Sequence, residues 1–476
     1  MHITIFVFVL EMLFIPQESW VNEMIDELKM RGISLVRFTN IQPYNLDEVM
    51  ENKGKFEATP ENQILQQRLG YFDIATPQVR LCAAGNFLSD TVTRYFQNVG
   101  LLAALPKLDF CIEPYVKFGT SEEYPDWLWK DIVAGDLHRA YGHLKLGAID
   151  VLLGRESLRW GPLSGNSLMI SGTSPPFDLL YASYQYKFFK GSFFCTALDP
   201  GTLPYDYITF PQGDTFPAGT YNRFFSGHRV DFSLFGDKLL VGLSEVVLYS
   251  GDGISFMPTY LNPFMLFYIS KHNWKDNAHT DNVGWGFDFS YYLGGIVCLF
   301  GELFIDDAQY ESSPDNIPHT LAYRIGLKGV WARSFWTLQY TRVDTWTYIH
   351  PLYWNNFLYR GYPIGHSQGQ DLDEVSAKLT NHINYQWDIL VDIAFRRKGA
   401  NNYDNHWPGI FSGEQKFPLG IVEKSISINV GLRFFYTNRI FVEAISGYDV
   451  HHDYHHDEDE NKSFQSLKLS YNLIIY

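Results

Sequence analysis

Four stretches of this 476-residue chain carry side chains able to do chemistry, and their spacing suits recognition better than bond making. In Gly154 to Ser171 a guanidinium (Arg159) precedes an indole (Trp160) and a Gly-Pro pair, before Ser164 to Ser167 lead into apolar Leu168 to Ile170. Arg beside an aromatic can stack and donate several hydrogen bonds at once, and Gly-Pro fixes a turn. The alternative is a structural corner, with Arg159 capping carbonyls and Trp160 filling space. A second stretch crowds Trp346, Tyr348, His350, Tyr353 and Trp354, followed by Arg360 and His366, with Trp407 further on. Rings among Asn, Asp and His suit a sugar, whose pyranose offers an apolar face for stacking and hydroxyls for bidentate partners. The alternative is that the rings pack loops into a lid or form an aromatic girdle.

The other two stretches are weaker. His451, His452, Asp453, Tyr454, His455, His456 and Asp457 to Glu460 have the imidazoles and carboxylates to hold a divalent metal, but a solvated hairpin tip lacking supporting hydrogen bonds binds metals only loosely. Asp306 and Asp307 are calcium-type oxygen donors or an exposed turn. No metal site is assigned to either. The chain has no G-x-S-x-G elbow, H-E-x-x-H pair or Walker lysine, so no catalytic residue and no cofactor is assigned. Cys82, Cys111, Cys195 and Cys298 stand far apart and form no CxxC pair.

The elements that must hold these residues are strands of period two. Val375, Ala377, Leu379, Ile383 and Tyr385 alternate with Ser376, Lys378, Thr380, His382 and Asn384. Ile426, Ile428, Val430, Leu432, Phe434 and Tyr436 alternate with Ser425, Ser427, Asn429 and Arg433, and Leu467, Leu469, Tyr471, Leu473 and Ile475 do so at the end of the chain. Segments of about ten residues, many times repeated, favour a membrane barrel over a soluble sandwich. Composition agrees: aromatics make up 17% of the chain, yet mean hydropathy is -0.15, as expected of one greasy face, one wet face and aromatic girdles. No apolar run reaches 18 residues, which removes helical spans but leaves a barrel untouched. A formal charge of -16 argues against a nucleic-acid partner.

Turn signals alternate strictly between short and long connections. Short ones are expected at Gly147-Ala148, Lys190-Gly191, Gly236-Asp237, Leu293 to Gly295, Ala332 to Ser334, Gln386 to Asp388 and Thr437-Asn438, with Ser250 to Asn282 as one large excursion. The tally is about 18 antiparallel strands over residues 78–476, preceded by a small helical region within 1–77, with both termini at the short-turn, periplasmic side. In that region Trp20, Val21, Met24, Ile25 and Leu28 recur at helical spacing between a Ser19 cap and a terminal Gly32. Further short helices are expected after Asn45 and after Thr59-Pro60. Met1 to Ile15 is apolar but has no basic start and no small-residue cleavage site, so it is expected to be a remnant signal or to reflect a misplaced start.

On these residues the chain resembles the capsule-assembly (Wzi-type) family of outer-membrane proteins. The likeness rests on RWGP with the Ser171 to Phe177 segment, GELFIDDAQ (Gly301 to Gln309), LQYTRVDTWTYIH (Leu338 to His350), GYPIGHSQGQD (Gly361 to Asp371), FRRKG (Phe395 to Gly399) and the first helix, in the family's order. By the turn parity, all but FRRKG and the helix fall in or beside an outer loop. The resemblance implies a lectin-like barrel in the outer membrane, its loops at the cell surface binding capsular or exopolysaccharide. Its partners would be that polysaccharide, outer-membrane lipids and capsule export machinery. Arg159, Trp160, Trp346, Tyr348, His350, Tyr353, Trp354, Arg360, His366 and Trp407 are then the candidate glycan contacts. A diffusion porin and a lipid- or glycan-modifying enzyme of the outer membrane are the alternatives.

Overall fold

Paired residues on antiparallel strands share a face, so strands that alternate in register give a sheet with one apolar and one polar side. Here the sheet closes on itself with the polar side inward. The computed structural model describes residues 14–15, 20–45, 48–49, 52, 63–69, 79–88, 93–105, 108–118, 133–163, 166–209, 215–251, 254–273, 281–307, 320–405, 416–437 and 440–475. Within them an 18-stranded antiparallel barrel is complete, with each strand paired to its neighbours in sequence and β18 (Lys462–Ile475) closing on β1 (Val79–Leu88) through Ile475 opposite Val79. Between them run β2 (Thr93–Leu105), β3 (Leu108–Phe118), β4 (Val133–Leu146), β5 (Ile149–Glu156), β6 (Phe177–Tyr186), β7 (Phe189–Thr209), β8 (Thr215–Leu234) and β9 (Leu239–Gly251). The circuit continues with β10 (Asn282–Leu293), β11 (Val297–Asp307), β12 (Thr320–Trp331), β13 (Ser334–Val343), β14 (Leu372–His382), β15 (Trp387–Lys398), β16 (Glu423–Thr437) and β17 (Ile440–His452).

Exposure follows the pattern read from sequence. Val375 and Leu379 of β14, Ile383 just beyond it, and Ile426, Ile428, Val430 and Leu432 of β16 are exposed, while Ser376, Thr380, His382, Ser425 and Arg433 are buried. This inverts a soluble core: apolar residues line the outside and charged residues the interior. The expected outward set Leu467, Leu469, Tyr471, Leu473 and Ile475 has side chains outside the described residues.

The connections alternate as the turn signals require, with two corrections. The turn expected at Gln386 to Asp388 lies at 383–386, Trp387 and Asp388 being already in β15 opposite Phe434 and Arg433. The hairpin between β6 and β7 turns at residues 187–188, and Lys190 and Gly191 belong to the strand, opposite Gln185 and Tyr184. The physical reason is that Lys187 itself takes the positive φ of 50° that glycine was expected to supply. The excursion after β9 is confirmed as a single connection ending at Asn282, and it contains a short helix (Phe267–Asn273). FRRKG is also relocated. Phe395 to Lys398 end β15 at the long-loop end of the barrel, because that strand rises from the short connection at 383–386.

Helix α1 (Trp20–Met30) lies inside the short-turn end. Its face of Trp20, Met24, Ile25 and Leu28 is buried in the luminal core; the Val21 side chain and Ser19 lie outside the described residues. Gly32, at φ 82°, ends the helix: Gly32 N–H donates to Lys29 O and Ile33 N–H to Leu28 O, the paired bonds of a Schellman cap. Helix α2 (Gln63–Leu69) occupies the third expected position, and most of the second expected helix lies outside the described residues. The plug is bolted to the wall by charge. Glu27 contacts His382 at 2.8 Å, Arg68 grips Asp388 through both carboxylate oxygens at 2.7 and 2.8 Å, Asp26 pairs with Lys328 at 3.2 Å, and Arg31 donates to Ala332 O in a short turn.

At mid-height the wall supplies its own network. Arg229 binds Asp231 and Asp288, and Asp288 accepts a bond from Asn40 of the plug at 2.6 Å. A Cβ at Gly242 would overlap the Arg229 guanidinium, so the glycine makes room for the charge. Breaking a buried pair by removing one partner strands the other without solvent. Arg229→Met is therefore expected to destabilise the protein in micelles by about 3–5 kcal/mol, read as a shift in its denaturant midpoint. Lys378→Met, which breaks an exposed pair with Asp392, should cost less than about 1 kcal/mol. Equal shifts would refute the role given to the luminal network.

Candidate functional site

At the long-loop end the described residues of three connections, 157–163 with 166–176, 344–371, and 399–405 with 416–422, pack on one another and on the upper inner wall. The middle one is the keystone. Tyr348 is wholly buried at φ 72°, its backbone N–H held by Asp306 Oδ2 at 2.7 Å, its hydroxyl donating to Leu168 O, and its ring against Phe304 and Phe357. Trp354 lies flat on Tyr221 of β8, with ring centroids 4.6 Å apart and planes within 5°. Trp346 packs with Ile349, Tyr403 and Leu419. Buried wall cations donate to loop carbonyls: Arg223 to Asn356 O and Leu358 O, Arg324 to Asn166 O, Lys328 to Pro162 O. Asp371 accepts from Thr345 Oγ1, Asn401 N–H and Leu419 N–H, tying the second and third loops together.

Arg159 and Trp160 sit deeper. They form a two-residue ladder with Ile41–Gln42, joining the first loop to the plug segment in the lumen. The Arg159 guanidinium donates to Gly161 O, Leu163 O, Thr39 O and the Tyr44 hydroxyl, and the Trp160 ring meets Phe194 edge-on at 5.3 Å. The expectation that these residues, with Trp346, Tyr348, Trp354 and His366, project from loops toward solvent is corrected by their burial. The physical reason is that each ring or guanidinium fills space between loops or satisfies carbonyls that strand pairing cannot reach, so the capping and lid alternatives describe them. Trp407 lies outside the described residues.

His350, Tyr353 and Arg360 are half-buried at the outer face of the lid. The Tyr353 hydroxyl donates to Thr202 O, and Arg360 reaches the barrel rim, with its N–H on Asp199 Oδ1 at 2.7 Å and its guanidinium 3.6 Å from Asp136. There it joins a chain of charges that sequence reasoning missed: Asp136 to Arg155 at 2.7 Å, and Arg155 to Asp178 at 2.6 Å. These residues close their strands at the long-loop end, where a charge reads simply as the start of a loop. Together Tyr353, Tyr362, Arg360, Arg155 and the three carboxylates make a shallow surface of rings, donors and acceptors suited to a polyhydroxylated ligand. Asp306 holds the lid through the Tyr348 N–H, and the Asp307 side chain lies outside the described residues. In the histidine-rich hairpin, His451 pairs with Glu423 at 2.7 Å and His456 Nδ1 bonds Ile421 O.

This architecture is that of a membrane-spanning β-barrel whose lumen receives chain segments from both ends, among the described residues. The chain belongs to the capsule assembly protein Wzi family, whose model matches residues 110–466. Among solved structures it is similar to Wzi of Escherichia coli, described as an outer-membrane, carbohydrate-binding β-barrel involved in group 1 capsule assembly. The two share 15% identity and a TM-score of 0.67 over 96% of this chain and 99% of that one. It is also similar to OccK5 (OpdH) of Pseudomonas aeruginosa, at 9% identity and TM-score 0.49 over 84% of this chain and 98% of that one. OccK2 (OpdF) of the same organism, solved with glucuronate, gives 11% identity and 0.46 over 84% and 97%. No curated protein matches the sequence.

The lid carries one built-in titration. His366 is fully buried, with Asn166 Nδ2 donating to its Nε2 at 3.1 Å; burial, and then the charges of Arg324, Arg396 and Lys398, hold its pKa well below the usual histidine value. Above about pH 6.5 the ring is neutral whether folded or not. As pH falls below that, the unfolded ring takes up a proton that the buried one refuses, so the lid loses stability by up to about 1.4 kcal/mol per pH unit. Amide-exchange protection of residues 344–371, corrected for the intrinsic rate, should fall as the medium is acidified through this range, and His366→Gln should flatten the dependence. Protection that is flat in the unsubstituted protein would remove the assignment.

Proposed function

We propose that this protein binds capsular or exopolysaccharide at the outer membrane and helps assemble or anchor it at the cell surface. The lidded end would face outward and the helical plug the periplasm. The observation that carries this reading is the combination of a lumen entered, among the described residues, by helix and loop segments from both ends with a polar, tyrosine-bearing outer face that offers a surface to a polymer. The same luminal segments count against the porin alternative, and family membership places the activity in capsule assembly without calling for catalysis.

Within this reading Tyr353, His350 and Arg360 contact the glycan, with Asp136, Arg155 and Asp199 at the rim. Arg159, Trp160, Trp346, Tyr348, Trp354 and His366 hold the lid beneath them. Salt screens the overall charge of -16 beyond about 8 Å, so a polymer meets the rim's own groups, and with Arg155 and Arg360 set among Asp136, Asp178 and Asp199 these suit neutral hydroxyls better than acidic groups. Outer-membrane lipids surround the wall, and the plug end is the face available to capsule export machinery.

Deleting the protein should shift polysaccharide from the cell-associated to the released fraction. Tyr353→Ala with Arg360→Ala should reproduce much of that shift while barrel insertion stays normal. In planar bilayers the intact protein should conduct poorly, and removal of residues 20–69 should raise conductance. Unchanged retention in the double variant, with surface exposure confirmed, would refute the lid as the binding face; large conductance in the intact protein would favour the porin.

A further inference from the structure

The described residues of the long excursion between β9 and β10, 254–273, pack on the wall rather than on the lid. Residues 254–270, ISFMPTYLNPFMLFYIS, contain no charged residue, although 19% of the whole chain is charged. They fold over the outer wall. On β9 the even positions face the lumen, where Leu240 meets Met30 of the plug, and the odd positions face out, where Leu243 is exposed. Outward Val247 and Tyr249, with Phe224 of β8 and Val283 of β10, form a separate buried cluster with Tyr260 and Phe267 of the excursion.

Glu245 is the fastening. It lies in the outward row His228–Glu245–Trp285 across β8, β9 and β10, yet is only 5% exposed. Its carboxylate accepts the backbone N–H groups of Phe267 and Tyr268 at 2.7 and 2.9 Å and Trp285 Nε1 at 2.9 Å, and stands 3.2 Å from His228 Nε2. A carboxylate on the lipid side of a barrel is costly unless covered and bonded, and here the excursion supplies cover and donors.

The height of this element selects its surroundings. On β16 the exposed apolar positions run from Tyr436 up to Ile426, an axial span of about 25 Å at ~3.3 Å per residue and ~40° tilt, the height of a lipid-facing band. On β9 the same climb from Leu239 reaches Tyr249, so the wall at Glu245 to Tyr249 lies in the band's upper half and is nonetheless buried. Exposure passes instead to the excursion, where Phe264 is 91% exposed, Leu266 55% and Ile269 51%.

We infer that residues 254–270 form a fixed hydrophobic foot that seats Phe264, Leu266 and Ile269 among the acyl chains of the adjoining leaflet, widening the barrel's lipid contact on one side. The inference depends on the membrane-spanning fold; the orientation proposed above is needed only to name that leaflet as the outer one. Continuity with the lipid-facing band and the absence of charge select lipid over water as the neighbour.

The test uses the full chain carrying Phe264→Cys or Ile269→Cys, labelled with an environment-sensitive fluorophore and reconstituted into phosphatidylcholine vesicles. Leu243→Cys is the lipid-facing control and Glu458→Cys the aqueous one, and the unsubstituted protein carried through the same labelling gives the background. Bromine-substituted lipids should quench positions 264 and 269 as strongly as position 243, and iodide should quench them far less than position 458. Iodide quenching at the level of position 458 would overturn the foot. So would protection from both quenchers together with crosslinking between copies, which would make the face a contact between chains. Polysaccharide retention plays no part in these readouts, so a failure here is separable from a failure of the proposed function.

Discussion

A barrel that presents its apolar face to lipid must gather its polar face inside, and filling the lumen then means burying charge. Everything inside this molecule answers that requirement. Arg229, Arg324, Lys328, Glu302, Asp288 and Asp388 are all buried on inward positions, and none could remain so without partners. The wall satisfies some of them internally, as Arg229 does with Asp231 and Asp288. The rest are answered from the two ends, by Asp26, Asn40 and Arg68 of the plug and by the carbonyls of residues 162, 166, 356 and 358 in the loops. Plug and lid are therefore complements of the wall's charge pattern as much as stoppers.

This arrangement explains why the residues best placed to act on a ligand are few. A guanidinium committed to carbonyls, as Arg159 and Arg223 are, has little capacity left for a sugar hydroxyl, and a ring stacked face to face, as Trp354 is on Tyr221, has no free face on that side. Under the proposed function, recognition falls to the groups where the lid meets the rim, and these are bridged to one another: Arg360 to Asp199 and Asp136, and Asp136 to Arg155. Such bridged charges hold their donors and acceptors in place, so a hydroxylated polymer docking there would meet a surface already ordered.

The wall was legible in sequence because its signal is local. Period-two alternation and turn parity depend on neighbours, and they located the strands to within a few residues; of the two displaced turns, the one at Lys187 came from trusting glycine to mark every positive φ, and the one at 383–386 is set by Asn384, whose side chain accepts the N–H groups of Gln386 and Trp387. The lid was legible as a place but not as a geometry. Tyr348 reads as an exposed ring in a polar loop until Asp306 and Leu168, 42 and 180 residues away in sequence, are seen to hold it. The rim carboxylates were invisible for the opposite reason, since an Asp at a strand end carries no signal until its partner is known. A degenerate period also explains how 15% identity accompanies a shared fold: alternation constrains polarity at each position, and many residues satisfy it.

The two largest loops leave the same end of the barrel and go opposite ways, and strand parity decides which. The connection at 344–371 is seized by inward groups, Arg223 and Tyr221 of β8 and Asp306 of β11, and turns into the mouth. Residues 254–273 of the connection after β9 are seized by outward groups, Glu245, Val247 and Tyr249 of β9, and lie on the outer wall. Each loop's composition matches its destination: the first mixes rings with Asn, Asp, His and Arg, while the second is uncharged from Ile254 to Ser270. Exchanging a single anchor across the strand, so that the carboxylate of Glu245 pointed into the lumen, would leave the backbone N–H groups of Phe267 and Tyr268 without an acceptor on the greasy side. The direction a loop takes is thus set in the wall below it, by whether the gripping residue holds an odd or an even place.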